Sequence, residues 1–182
     1  MSVNVRTMTH ADYSEVAALW GETDGVGITE ADSRAGVASF LKRNDGLSFV
    51  AEEDGRIVAA VLCGHDGRRG YISHLVVADP HRRRGVATGL VDRCIEALRE
   101  VGIEKCHLFV FRGNKSAASF WRETGWVERE DIATFSKFTG LDAPELEGQE
   151  RDEAVLGGAE RNQPGLGSTE HDEAVPDLRE ER

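Results

Sequence analysis

No stretch of about eighteen consecutive apolar residues occurs in the chain, so no helix of membrane-spanning length and no membrane partner is expected. The opening residues, MSVNVRTMTHADYSEV, have neither the basic segment nor the apolar core of a secretory signal, and a cytoplasmic protein is expected. Cysteine is scarce: Cys63, Cys94 and Cys106 form an odd set without Cys-x-x-Cys spacing. Each sits in an apolar run, where a free thiol behaves as a small hydrophobe and a reducing compartment suits it. The histidines at 10, 65, 74, 81, 107 and 171 are scattered, and none form the His-Glu-x-x-His pattern, so no metal is expected.

There is enough apolar material for one core. With 182 residues, 40% of them hydrophobic, length favours a single domain. The net charge of −11 is unevenly spread. Residues 141–182 hold 13 Asp and Glu against 4 Arg, a balance of −9, which leaves −2 for residues 1–140. The acidic segment has no Phe, Tyr or Trp and no sustained period. It cannot bury enough surface to offset the entropy of ordering. The expected organisation is a folded domain over 1–140 and a disordered, solubilising tail over 141–182, with a docking segment for a basic partner as the alternative. The echo of RDEAV at Arg151 and HDEAV at His171 is too short to build a repeat fold.

Periodicity orders the elements of the body. Val3 to Met8 alternates like a strand, and a helix with Val16, Leu19 and Trp20 on one face follows. After the loop GETDGVGITEADS, a second helix is marked by Val37, Phe40 and Leu41. A hairpin turns at Gly55, and a further strand runs from Arg69 to Ala78. Gly85 to Glu100 carries Val86, Leu90, Val91, Cys94, Ile95 and Leu98 on one stripe. The strand CHLFVF, a helix over Asn114 to Thr124 and two last strands, WVER and IATFSKF, complete the order βααβββαβαββ. The central strand–helix–strand step implies a parallel pair with a right-handed crossover.

Where the strand ending in Ala78-Asp79-Pro80 hands over to the long helix, the chain reads Arg82-Arg83-Arg84-Gly85-Val86-Ala87. A helix N-terminus presents unpaired N–H groups and about half a positive charge, and so attracts anions. Three arginines add cations there. Gly85 and the small Ala87 let a ligand approach the backbone. These residues describe a seat for a pyrophosphate. One arginine triplet in a nearly neutral body is too narrow a basic face for nucleic acid, and no nucleic-acid partner is expected.

This arrangement resembles the acyl-CoA site of the GCN5-related N-acetyltransferase superfamily, whose pattern is Gln/Arg-x-x-Gly-x-Gly/Ala after a β-strand. The preceding HLVVADP is similar to the family's cofactor-facing strand, and NKSAASFWRETGW, Asn114 to Trp126, to its second cofactor segment. The resemblance covers about residues 3–138. It implies an α/β (α+β) fold: a mixed, mostly antiparallel seven-stranded sheet flanked by four helices. The co-substrate would be acetyl-CoA, without a metal. Leu75, Val76 and Val77 would face it, with main-chain groups of Leu75 and Val77 bonding the pantetheine arm and thioester carbonyl. The amides of Arg84, Gly85, Val86, Ala87 and Thr88 would hold the diphosphate, with the Thr88 hydroxyl assisting. Asn114 would contact the pantetheine, Arg82 and Arg83 could reach the 3′-phosphate, and Trp121 would line the pocket.

The resemblance also defines what is missing. Many relatives place a tyrosine where this chain has Trp121, and an indole N–H is not a useful acid for the departing thiolate. Tyr71, another residue or water must serve. An acceptor amine must be neutral to attack, yet its ordinary pKa is near 10.4, about that of lysine. Relatives often carry a carboxylate around Tyr71, Ser73 and His74, and YISHLVV has none. Those three are the catalytic candidates, with Asp24, Glu30 or Asp32 acting through water as alternatives. Simple alternation puts Tyr71, Ser73, Leu75 and Val77 on one face and Ile72, His74 and Val76 on the other. The expected reaction is direct attack of a primary amine, on a small molecule or a protein, on acetyl-CoA in a ternary complex. The alternative is a non-catalytic acyl-CoA-binding module. The acceptor would be selected by Thr23–Asp32 and the segment around Phe135, in a monomer or homodimer.

Overall fold

The structure, a computed structural model, describes residues 3–137 and Thr139. The expected tail over 141–182 lies outside them. Two units separate at Phe135 and Ser136, and the fold is that of the first. In chain order its elements are β1 (Asn4–Thr7), α1 (Tyr13–Gly21), α2 (Arg34–Arg43), β2 (Phe49–Glu53), β3 (Arg56–His65), β4 (Gly70–Val77), α3 (Val86–Glu100), β5 (Cys106–Leu108) and α4 (Lys115–Glu123). The strands form one sheet in the order β1-β2-β3-β4-β5. All pairs are antiparallel except β4–β5, which is parallel as the crossover through α3 requires. No helix among the described residues is long and apolar enough to cross a membrane.

Side-chain alternation divides the core between the two faces of the sheet. On β3, Ala59, Val61 and Cys63 join Ile72 and the α3 stripe of Val86, Leu90, Val91, Cys94 and Leu98. Ala60 and Leu62 point the other way, to Val16, Leu19 and Trp20 of α1 and Val37 of α2. The β2–β3 turn is Asp54-Gly55, both left-handed with φ of 52° and 76°, the pair a tight two-residue hairpin demands. Gly102, with φ 80°, ends α3 in the same region.

Asp12 anchors the start of α1 to the sheet edge. It is buried, and both its oxygens accept from the Arg6 guanidinium at 2.8 Å. The Thr9 N–H donates to it at 2.7 Å. The Arg6 pairing, aided by Thr9, holds the Asp12 carboxyl at about 2, below its ordinary 3.8. A depressed carboxylate stabilises the fold above its unfolded pKa, and that stabilisation is lost as pH falls from about 4 towards 2. Asp12→Asn therefore lowers the melting temperature at neutral pH and flattens its fall between about pH 4 and 2. A thermal-melt series against pH checks this, and a curve of unchanged shape contradicts it.

The expected seven-stranded sheet is corrected to five strands among the described residues. WVER and the described part of IATFSKF form no strand. Alternation makes a strand only where the apolar positions find a face to bury. Here Val127, Ile132 and Phe135 stay 83%, 55% and 92% exposed. Local ion pairs, Arg122 with Glu128 and Arg129 with Asp131, hold the segment in bends instead.

Candidate functional site

Two features of β4 shape the site. Its parallel pairing with β5 covers only Gly70↔Cys106, Tyr71↔His107 and Ile72↔Leu108. From Ser73 to Val77 that edge of β4 has no strand partner among the described residues, and the pairing with β5 ends at Ile72↔Leu108. On the opposite edge, Ala60 pairs with Val76 but Leu62 with Ser73, so β4 carries one extra residue, a β-bulge. His74 sits in the bulge with φ 51°, a strained conformation for a residue other than glycine.

The bulge corrects the expected faces. Ile72, Leu75 and Val77 all pack on the α3 side, whereas Val76 packs with α1. One inserted residue inverts the parity, so Leu75 and Val77 leave the face of Tyr71 and Ser73. His74 turns to the α1 side, its ring centroid 4.8 Å from that of Trp20. Asp32 Oδ1 lies 3.2 Å from His74 Nε2. The contact is off the direction of a hydrogen bond: both imidazole nitrogens are buried without a hydrogen-bond partner among the described residues. Asp32 is itself fixed, its other oxygen accepting from the N–H and hydroxyl of Thr29 at 2.8 and 3.1 Å. His74 thus anchors the bulge and does not present a nitrogen to solvent.

At the end of β4 the chain enters α3 through Gly85, whose φ is 80°. Ser33 caps α2 and Asn114 caps α4, but among the described residues no side chain caps the first turn of α3, which leaves the amides of Val86, Ala87 and Thr88 open to a ligand. The three arginines are not equivalent. Arg82 donates to the carbonyl of Val77 at 3.0 Å and pairs with Asp79. Arg84 donates to Glu53 at 2.9 Å, and His81 Nε2 lies 2.8 Å from the other Glu53 oxygen. Arg84 and then His81 hold the Glu53 carboxyl below the usual range. Among the described residues, Arg83 alone of the three has no intramolecular side-chain partner; its φ is 58°. Uncapped amides, an unspent cation and an unpaired strand edge suit a phosphorylated, extended ligand such as an acyl-CoA.

The other expected residues are placed as follows. Tyr71 and Ser73 are exposed, with the Tyr71 and His107 rings 6.0 Å apart across β4 and β5. Thr88 is exposed beside the anion seat. Asn114 Oδ1 is committed to capping α4, accepting from the Ala117 N–H at 2.9 Å. Trp121 is buried in the core, edge-on to Phe120 and Trp126 with centroids 5.0 Å away in each case. It belongs to the packing of α4. The Val77 carbonyl is engaged by Arg82 and is not free for pantetheine in this form. Sequence reasoning missed Glu53 and its partner His81, because the links from Glu53 to His81 and Arg84 span 28 and 31 residues and leave no local signal. It also missed Phe109 and Phe111, exposed beyond the end of β5.

A groove of about 790 Å³ runs from Thr88 between α3, β5 and the segment after α4, lined further by Ile95, Cys106, Trp126 and others. Burial pushes the Cys106 thiol there up to about 12, and in the core the neighbouring Cys63, with burial, raises Cys94. Among the described residues no group of three or more His, Cys, Asp or Glu is placed to hold a metal.

The acetyltransferase (GNAT) family matches residues 13–126. The chain belongs to that family and is an acyltransferase. Acetyltransferase ECA0875 of Pectobacterium atrosepticum is 30% identical over 135 residues, covering 74% of this chain and 94% of the relative. PaiA N-acetyltransferase from Thermoplasma acidophilum, solved with coenzyme A, superposes with a TM-score of 0.62 at 17% identity, covering 69% of this chain and 89% of that one. AAC(6')-Iy, solved with a bisubstrate analogue, gives 0.62 at 18% identity, covering 76% and 99%. Both solved structures share the fold.

Proposed function

We propose that the protein transfers acetyl from acetyl-CoA to the nitrogen of a primary amine by direct attack in a ternary complex. The observation that carries this reading is the alignment, along one strand, of an unpaired edge at Ser73–Val77 with the uncapped first turn of α3. The edge receives the pantetheine arm as an added strand would, and the amides of Val86, Ala87 and Thr88 hold the diphosphate. Arg83 takes the 3′-phosphate, while Glu53 positions Arg84 and His81 around the seat.

The acceptor enters on the face of Tyr71 and Ser73. Its neutral nitrogen attacks the thioester carbonyl carbon, the C–S bond breaks, the amide forms, and the nitrogen's surplus proton leaves for the thiolate or for water. Tyr71, 38% exposed on that face, is the group of this chain that relays the proton. His74, with both nitrogens buried, acts through the bulge as a positioning residue. Thiol release from acetyl-CoA, measured against a panel of primary amines, tests the reading: amine-dependent release is expected. A second reading, an acyl-CoA-binding module without turnover, is favoured by the absence of any carboxylate from YISHLVV. Coenzyme binding with no release for any amine is its signature.

We place the transferase in residues 1–140, acting in the cytoplasm. Truncation after Leu141 leaves amine-dependent thiol release and coenzyme A affinity unchanged, because no residue of the site is removed. A loss of either assigns the tail a part in the site.

A further inference from the structure

We propose that the acceptor is a primary amine carried on an aromatic or branched apolar body, seated on a shelf formed by Tyr71, Phe109 and Phe111. The proposal rests on the acetyltransferase reading and names the substrate class of that same site. Along β5 and its continuation, Cys106, Leu108 and Val110 pack against the α3 core. His107, Phe109 and Phe111 alternate with them and face the other side, as Tyr71 and Ser73 do on β4 about Ile72. On that side α1 packs against β3 and β4. Phe109 is left 74% exposed, Phe111 59% and Tyr71 38%. Three aromatic rings open to solvent are apolar surface that an apolar ligand covers with a gain in free energy.

The wall of the shelf supplies the matching charge. The loop between α1 and α2 packs on Phe111: a Cβ added at Gly27 would lie 3.0 Å from the Phe111 ring. That loop carries Glu22, Asp24, Glu30 and Asp32 and neither Lys nor Arg between positions 22 and 32, and Ile28 on it is 52% exposed. An ammonium group is therefore drawn towards the loop while its apolar body lies on the rings. Polycations fit less well, because their charged second and third nitrogens leave less apolar surface to cover the rings, and Arg112 and Lys115 after Phe111 repel added cations. The shelf selects one amine with an apolar substituent.

The test uses the full chain with 2-phenylethylamine, 3-methylbutylamine, ethylamine and spermidine, read as kcat/KM by thiol release, with coenzyme A affinity measured in parallel. The proposal expects 2-phenylethylamine and 3-methylbutylamine to exceed ethylamine and spermidine by at least about tenfold, the scale set by a few methylenes in an apolar site. It expects Phe109→Ala to reduce the ratio of 2-phenylethylamine to ethylamine about tenfold, and Phe109→Leu to restore part of it. Phe109 is largely exposed, so neither variant disturbs the core. Spermidine or ethylamine equal to or better than the apolar amines, or a ratio unmoved by Phe109→Ala, overturns the acceptor class and leaves the acetyltransferase reading standing. Coenzyme A binding without release for any of the four overturns the acceptor class, and the wider panel of primary amines then decides the acetyltransferase reading.

Discussion

Gly85→Val raises the dissociation constant for coenzyme A by about a hundredfold or more while the protein stays folded, which corresponds to roughly 2.7 kcal/mol of binding free energy. Gly85 holds φ 80° at the entry to α3, and a β-branched residue there costs about 1–2 kcal/mol in its left-handed conformation. Beyond its chain neighbours, no atom of the described residues lies within 4 Å of a Cβ at that position, so the variant meets open space and no core clash. The space is the approach to the amides of Val86, Ala87 and Thr88, and the isopropyl group occupies it. Calorimetry gives the affinity and circular dichroism the fold. Unchanged affinity in a folded variant rules the anion seat out.

His74→Val gives the largest structural effect outside the deep core. The imidazole holds a left-handed bulge by packing on Trp20 and facing Asp32 at 3.2 Å. Valine loses both contacts and adds β-branched strain of about 1–2 kcal/mol. With about another 1 kcal/mol for the lost aromatic contact, the melting temperature falls roughly 5–10 °C. Register between β3 and β4 also relaxes, so coenzyme A binding weakens at a residue that does not touch it. His74→Gly separates the two causes, because glycine accepts the same φ without strain. It is expected to lose stability yet keep coenzyme A affinity within a few-fold. Equal affinity loss in both variants contradicts the positioning role and makes the imidazole itself a ligand contact.

Much of this was legible before the structure because the periods are local. The α3 stripe and the Asp54-Gly55 hairpin are written in neighbouring residues and stand where the sequence puts them, and the Arg-Arg-Arg-Gly stretch falls at the entry to α3. What failed to read out depends on partners far along the chain. The bulge at His74 follows from cross-strand register with β3, and simple alternation assigned Leu75 and Val77 to the wrong face. The last two strands failed for the same reason: an alternating pattern at Val127 to Phe135 does not state which edge it meets. The unequal arginines are a tertiary fact as well, since only the fold reveals that Glu53 occupies Arg84 and the Val77 carbonyl occupies Arg82.

The most direct test of the central claim is an amide-resolved NMR titration of the full chain with coenzyme A. A ligand held along the unpaired edge and at the first turn of α3 shifts the amides of Ser73 to Val77 and of Arg83 to Thr88, with smaller changes at Glu53 and His81 as the seat adjusts. Shifts confined to the groove of Ile95, Cys106 and Trp126, with the Arg83–Thr88 amides unmoved, contradict the account.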